Sequence, residues 1–576
     1  MKKFITALFL LAIAGTATIN ACTNFLVTKG ASADGSTMIS YSADSYWLYG
    51  ALYHYPAAKY PKGAKLQVNE WDTGKYLGEI DQVEETYNVV GNMNEWQLSI
   101  GETTFGGREE LVDSTAIIDY GSLIYITLQR AKTAREAIYT MVTLVNQYGY
   151  CSEGESFSIA DPNEVWIMEM IGKGPGRKGT AWVARMIPDG YICGHANQAR
   201  ITTFPQVSRK DKTVITSKNL KKIFDPQVTT AYAEDVISFA REKKYFTGKN
   251  DADFDFSDAF NPLDFSGIRS CDARAWQFFN RMSPKQMEQY VSYINAETKE
   301  RMPLWIKPDR KVNLDDMKIS MRDHYEGTPW DMSKGMGTGG FQSVYRATPL
   351  FYKSGDGKEY FHERPVATQQ TGFTFIAQMR DWLPREVGSI LWFGVDDATC
   401  NLYLPIHSCI THIPKSLSEE TANMLKFSWE SAFWVNNWVA NMVYYRYSDL
   451  YPEVRDRQKR MEFMFREQRA MVDKEAANFI KNGGRDQAIQ MMQELAEVTA
   501  EKALVEWREL GEYLMVKYVD GVEKGMEKGQ FMQNDKHIPG KVIRKGYSQE
   551  YIDNFLVKPD PNRFRVRTKE EMDKRK

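Results

Sequence analysis

Polar and apolar positions in this chain follow two different periods, and the change from one to the other divides it. Lys2 and Lys3 precede an apolar run from Phe4 to Ala14, and Ile19-Asn20-Ala21 ends on a small residue. That is the pattern of an export signal over residues 1–21, and its apolar run is too short to span a bilayer. Strand-like alternation follows: TNFLVTK and STMISYS flank GASADG, whose Asp34-Gly35 step predicts a hairpin with Cys22 at the start of its first strand. The run LQRAKTAREAIYTMVTLVNQY at 128–148 has helical spacing and stops at Gly149. SFSIADPNEVWIMEMIG and AWVARMIPDGYICGHANQARI read as further hairpins, turning at Asp161-Pro162-Asn163 and at Pro188-Asp189-Gly190. From Ser416, which forms a capping-box pattern with Glu419, the chain turns rich in Glu, Lys, Met and Ala, and Asn482-Gly483-Gly484 breaks this stretch into helices. Trp429, Phe433, Trp434 and Trp438 recur there at near-helical spacing and read as core packing.

The predicted organisation is therefore a signal at 1–21, a mixed sheet-and-helix segment at 22–415, a helical region at 416–530 packed on the core, and a polar tail at 531–576. Composition narrows the function classes. Among 576 residues, 73 Lys and Arg face 75 Asp and Glu, a balance that gives no electrostatic footprint for nucleic acid. No other stretch reads as a membrane span, because even 426–446 is interrupted by Ser, Glu, Asn and Arg. Six cysteines, at 22, 151, 193, 271, 400 and 409, are too sparse for a disulfide scaffold, although export permits bridges.

The position of Cys22 carries the chemistry. A cysteine that becomes the first residue of a mature chain has a free α-amine, of reference pKa about 7.7–8.0, beside its own thiol. Such an amine serves as general base without a histidine partner. Ile19, Ala21 and Cys22 also fit three positions of a lipidation signal, in which that amine is acylated and the protein is a lipid-anchored binding protein. The two fates exclude one another.

The segment CTNFLVTKGASADGSTMISYSADS resembles the N-terminus of the dipeptidase family of cysteine N-terminal-nucleophile (Ntn) hydrolases, with Cys22, Asp34-Gly35-Ser36 and Asp44-Ser45 matching. The likeness continues through GETTFGGREEL (101–111), LQRAKTAREAI (128–138), ESFSIADPNEVWIMEM (155–170) and GHANQARI (194–201). It extends further through ARAWQFFNRMSP (273–284), ILWFGVDDATCNLYLPIHSCITHIP (390–414) and SWESAFWVNNWVANMVYYRYSDL (428–450). Bile-salt hydrolases and penicillin V acylases are more distant cousins.

The resemblance implies an α+β fold, an αββα sandwich of two antiparallel sheets between helical layers, with 22–415 as the catalytic domain. It implies an exported cysteine dipeptidase that works through a thioester and needs no cofactor, with a small peptide as substrate and a homo-oligomer as one arrangement; an amidase or acylase acting on another amide is the alternative. Carried over by position, Cys22 is the nucleophile and Asp44 orients the N-terminal group. Asn197 donates to the oxyanion, and Arg274 lowers the thiol pKa by its charge. Where the family usually has Arg-Asn-Glu-Asp, this chain has Tyr41-Ser42-Ala43-Asp44, so Tyr41 stands in place of a cation and is expected at the substrate. Glu102, Arg108 and Glu109 are expected on a polar loop lining the substrate cleft. Cys193-Gly194-His195 and the pair His407 and His412 lack a recognisable zinc spacing, and no metal is expected.

Overall fold

The computed structural model describes residues 22–574. The alternation around Asp34-Gly35 forms the expected hairpin: β1 (Asn24–Val27) pairs antiparallel with β2 (Thr37–Asp44), Leu26 opposite Ile39. Gly35 turns the chain at a φ of 81°, and the Asp34 carboxylate accepts from the Ser36 N–H at 3.0 Å. Four more strands form an antiparallel meander: β3 (Ser99–Gly106), β4 (Gly154–Ala160), β5 (Val165–Gly172) and β6 (Thr180–Met186). β4 and β5 are the hairpin expected at Asp161-Pro162-Asn163.

The second expected hairpin is absent. After Pro188-Asp189-Gly190 the chain enters β7 (Ile192–His195), which leaves β6 and pairs with β1 instead. The reason lies outside the local pattern: the Thr28 hydroxyl donates to Tyr191 O at 2.8 Å and accepts from the N–H groups of Gly190 and Tyr191, drawing the turn to the end of β1. β8 (Thr371–Met379), β9 (Ser389–Val395) and β10 (Leu404–His407) complete the first sheet. Among the described residues its order is Trp305–Ile306, β7, β1, β2, β8, β9, β10, antiparallel throughout. Short strands on both sides extend the β3–β6 meander into the second sheet.

The two sheets face each other, β2 against β3 and β4. Alternation decides which side chain goes where. Leu26, Ile39 and Tyr41 share the inter-sheet core with Ile100, Phe157 and Ile159. Phe25, Val27 and Met38 point the other way, onto α3 (Ala273–Met282), where Phe25 stacks on Phe278 with ring centroids 4.3 Å apart. The far side of the second sheet is covered by α1 (Tyr120–Leu128) and α2 (Ala134–Tyr148). These two helices correct the expected continuous run at 128–148: Thr133 caps a new helix by accepting from Glu136 N–H, and Gly149 ends it at a φ of 80°. The fold is thus α+β.

Three long helices follow: α4 (Ala432–Tyr445), α5 (Tyr447–Lys481) and α6 (Arg485–Tyr518), the last two parted at Asn482-Gly483-Gly484. The first begins later than the Ser416–Glu419 pattern suggests; Ser431 is its cap and accepts from Trp434 N–H. Phe433 is buried against the core, whereas Trp429 is exposed. The helices bury Val435, Phe465, Trp507 and Leu514 in the inter-sheet cluster and pack on β10. Polar ties lock them there. Glu462 on α5 accepts from Arg322 Nη2 at 2.6 Å and Tyr403 N–H at 3.1 Å, with Lys318 Nζ at 3.4 Å. Among the described residues, no helix is long and apolar enough to cross a membrane.

The tie at Glu462 predicts an acid-sensitive dock. Arg322 and Lys318 outweigh burial and pull its carboxyl from 4.5 to about 2. A carboxyl whose folded pKa lies below its unfolded one stabilises the fold above the unfolded value, and that contribution fades as pH falls toward the folded value. Urea unfolding of the wild type and Glu462→Gln is expected to show the wild-type advantage at about pH 6 shrinking by about pH 3. A gap that stays constant across that interval contradicts the assignment.

Candidate active site

The site is assembled where β1, β2 and β7 end together. Thr23 and Ser42 form a bridge just ahead of the β1–β2 ladder, so Cys22 and Asp44 are brought to the same edge. Cys22 is buried, 5% exposed, with its side chain in the inter-sheet core beside Tyr41. Its nitrogen donates to Asn197 Oδ1 at 2.9 Å. Its sulfur lies 3.7 Å from Tyr41 Oη and 3.6 Å from Glu102 Oε1.

One buried cation holds this arrangement. A guanidinium has five N–H donors, and Arg274, 1% exposed on α3, finds an acceptor for each. Nη1 donates to Cys22 O at 2.7 Å and Thr23 Oγ1 at 2.8 Å. Nη2 donates to Ala196 O at 3.2 Å and Asn197 Oδ1 at 2.9 Å, and Nε to Ser270 O at 2.8 Å. The arginine therefore grips the main chain of the cysteine and the side chain facing its nitrogen; it is not aimed at the sulfur. Asn197 sits at a φ of 61°, a left-handed conformation that asparagine tolerates, and its Nδ2 donates to Thr104 O at 2.7 Å.

Asp44 has its own cation, one the sequence reading did not single out. Arg364, 1% exposed, pairs with Asp44 Oδ2, and the Thr371 hydroxyl donates to Oδ1 at 2.6 Å. The fully buried Asp44 carboxyl is nonetheless pushed up, because loss of hydration outweighs Arg364. Cys22 is affected in the same direction: burial first, then the charges of Glu102 and Asp44, push its thiol well above the usual range. The sulfur is thus kept as a thiol that must give up its proton as it reacts.

One expectation needs correction. Glu102 lies on strand β3 rather than on a loop, and it is 1% exposed. Its neighbours Arg108 and Glu109 turn away: Arg108 donates to Ala259 O and stacks on Tyr245, and Glu109 is exposed. Tyr41 is also buried, 6% exposed, and its hydroxyl donates to Glu102 Oε1 at 2.5 Å beneath the sulfur. A cleft of about 570 Å³ opens at Asn197, the residue that holds the Cys22 nitrogen, and is bounded also by Thr104, Glu155, Tyr120 and Cys271. His195 is a core residue: its ring bonds Thr103 Oγ1 and Ser158 Oγ, each at 2.7 Å, and burial lowers its pKa to about 3. The six described cysteines are free.

A cysteine clamped by its main chain, with its nitrogen on an asparagine of the cleft wall, fits a cysteine peptidase. Sequence comparison agrees: residues 21–52 and 48–460 match the model of peptidase family C69, and the chain belongs to that family of cysteine peptidases. It is 24% identical to dipeptidase A of Lactobacillus helveticus over 73% of this chain and 81% of that protein. It is 23% identical to a dipeptidase of Bifidobacterium longum, over 73% and 76% of the two chains, and to a probable dipeptidase of Latilactobacillus sakei, over 80% and 89%.

Because Arg274 bonds the carbonyl and not the thiol, Arg274→Ala is expected to lower turnover of a hydrolysed dipeptide more than about tenfold without moving the acidic limb of the pH–rate profile. An acidic limb that shifts upward in the variant would show that the guanidinium charge sets the thiol pKa instead.

Proposed function

We propose that the protein is an exported dipeptidase whose mature chain begins at Cys22, an Ntn hydrolase in which the cysteine supplies both nucleophile and base. The observation that carries this reading is the pairing at one residue: the Cys22 nitrogen is held by Asn197, a residue of the cleft wall, while its sulfur lies buried against Tyr41 and Glu102. Two facing sheets, the first antiparallel and the second antiparallel except for one parallel edge pair, with helices on their outer faces, are consistent with the αββα sandwich of that class. The relatives named dipeptidases point to the substrate. Residues 1–21, the predicted signal, lie outside the described residues. In this reading 22–415 is the catalytic domain, 416–530 a helical buttress of the same core, and 531–576 a polar tail.

The chemistry follows from the positions. The α-amine of Cys22 takes the thiol proton as the sulfur attacks the scissile carbonyl carbon, forming the S–C bond. Arg274 and Asn197 hold the residue while this happens, and the Asn197 amide, on the wall of the cleft, is assigned to the oxyanion. Collapse of the tetrahedral intermediate breaks the C–N bond, and the α-ammonium gives its proton to the leaving amine. Water then attacks the thioester, passing a proton to the α-amine and on to the departing thiolate, and the first residue leaves as an acid. Asp44, fixed by Arg364 and Thr371, keeps the strand end in place.

Intact mass of the exported protein, paired with a dipeptide assay, tests this. The expected species starts at Cys22 with an unmodified amine and releases free amino acids, and Cys22→Ala is expected to be inactive. A lipid-modified, N-acylated Cys22 overturns the mechanism and favours an anchored binding protein. Turnover confined to non-peptide amides favours an acylase.

A further inference from the structure

We infer that the carboxyl pair Glu102 and Glu155 is the receptor for the free α-ammonium group of the substrate's first residue. This rests on the dipeptidase reading above and adds to it the residues that select for an unblocked N-terminus.

The pair is a product of strand register. Glu102 on β3 lies opposite Phe157 on β4, and Thr104 lies opposite Glu155, so the two acids are diagonal neighbours on one face. They are 1% and 0% exposed. One oxygen of each is satisfied: Tyr41 Oη donates to Glu102 Oε1, and Thr104 Oγ1 donates to Glu155 Oε1 at 2.8 Å. The other oxygen of each, Oε2, is buried without a donor. The two side chains meet closely enough to share a proton, and burial raises both carboxyls, Glu155 further because of Glu102. Two buried acid groups in contact need either a proton between them or a cation.

The cleft supplies the route for a cation. Glu155 forms part of its wall, along with Glu70, Asp72, Glu153 and Asp264, and none of the described lining residues is Lys, Arg or His. Position fits as well. In a peptide the α-nitrogen sits about 2.5 Å from the carbonyl carbon that the sulfur attacks. With Glu102 Oε1 3.6 Å from the sulfur, that nitrogen falls in the shell these carboxyls occupy. An ammonium has three N–H donors, enough to satisfy both orphan oxygens in place of the shared proton.

The test is calorimetric binding to Cys22→Ala, which removes turnover, using alanylalanine and its N-acetyl derivative. The free dipeptide is expected to bind about ten- to a hundredfold more tightly, the range of a charge-assisted hydrogen bond lost in a buried site. Adding Glu155→Gln, a near-isosteric change, is expected to weaken the free dipeptide by a similar factor while leaving the acetylated one unchanged. Equal affinity for the two compounds, binding of neither, or a Glu155→Gln effect that is the same on both overturns the inference. If the free dipeptide binds selectively but the unsubstituted protein does not cleave it, the ammonium site stands and the dipeptidase reading falls.

Discussion

The site depends on the burial of one guanidinium. Arg274 has lost its water, and only an acceptor for every N–H makes that tolerable. The five it finds come from Ser270, Cys22, Thr23, Ala196 and Asn197, three separate stretches of chain. The strand start that carries Cys22, the turn after β7 that carries Asn197 and the helix that carries Arg274 are therefore fixed by a single group. The same economy explains why α3 packs where it does: its apolar face covers Phe25 while its arginine reaches through to the start of β1.

A second cation does the corresponding work for Asp44. The resemblance leads to an arginine at position 41, and this chain has a tyrosine there. The charge comes instead from Arg364, more than three hundred residues away along the chain, and the space at position 41 holds a neutral hydroxyl that bonds Glu102. The result is a sulfur with carboxylates nearby and its nearest cations turned elsewhere, so its environment favours the thiol. Catalysis from such a state calls for a base that acts during the attack, which the α-amine of the same residue can be.

Local signals were legible where local physics decided the outcome. The β1–β2 and β4–β5 hairpins were announced by turn residues between alternating runs, and the break at Asn482-Gly483-Gly484 by its glycines. β6 and β7 look the same in sequence, yet they belong to different sheets, because Thr28 and the open edge of β1 capture the second strand. The site shows the same division. Cys22, Asp44, Asn197 and Arg274 were singled out through their motifs, and the structure brings them to one strand edge. Glu155 and Arg364 were not singled out because their contacts arise from register and long-range packing. A trace of Glu155 was available: an acid near the start of one strand, opposite a neighbouring strand that also carries one.

The central claim is that the peptide carbonyl is transferred to the sulfur of Cys22. Rapid acid quench of the protein mixed with a dipeptide, followed by peptide mapping, examines that transfer directly. The account predicts a transient thioester-linked aminoacyl group on the peptide that begins at Cys22, absent from Cys22→Ala. An adduct on Cys151 or Cys271, the two cysteines on the cleft wall, or turnover that persists in Cys22→Ala, would contradict it.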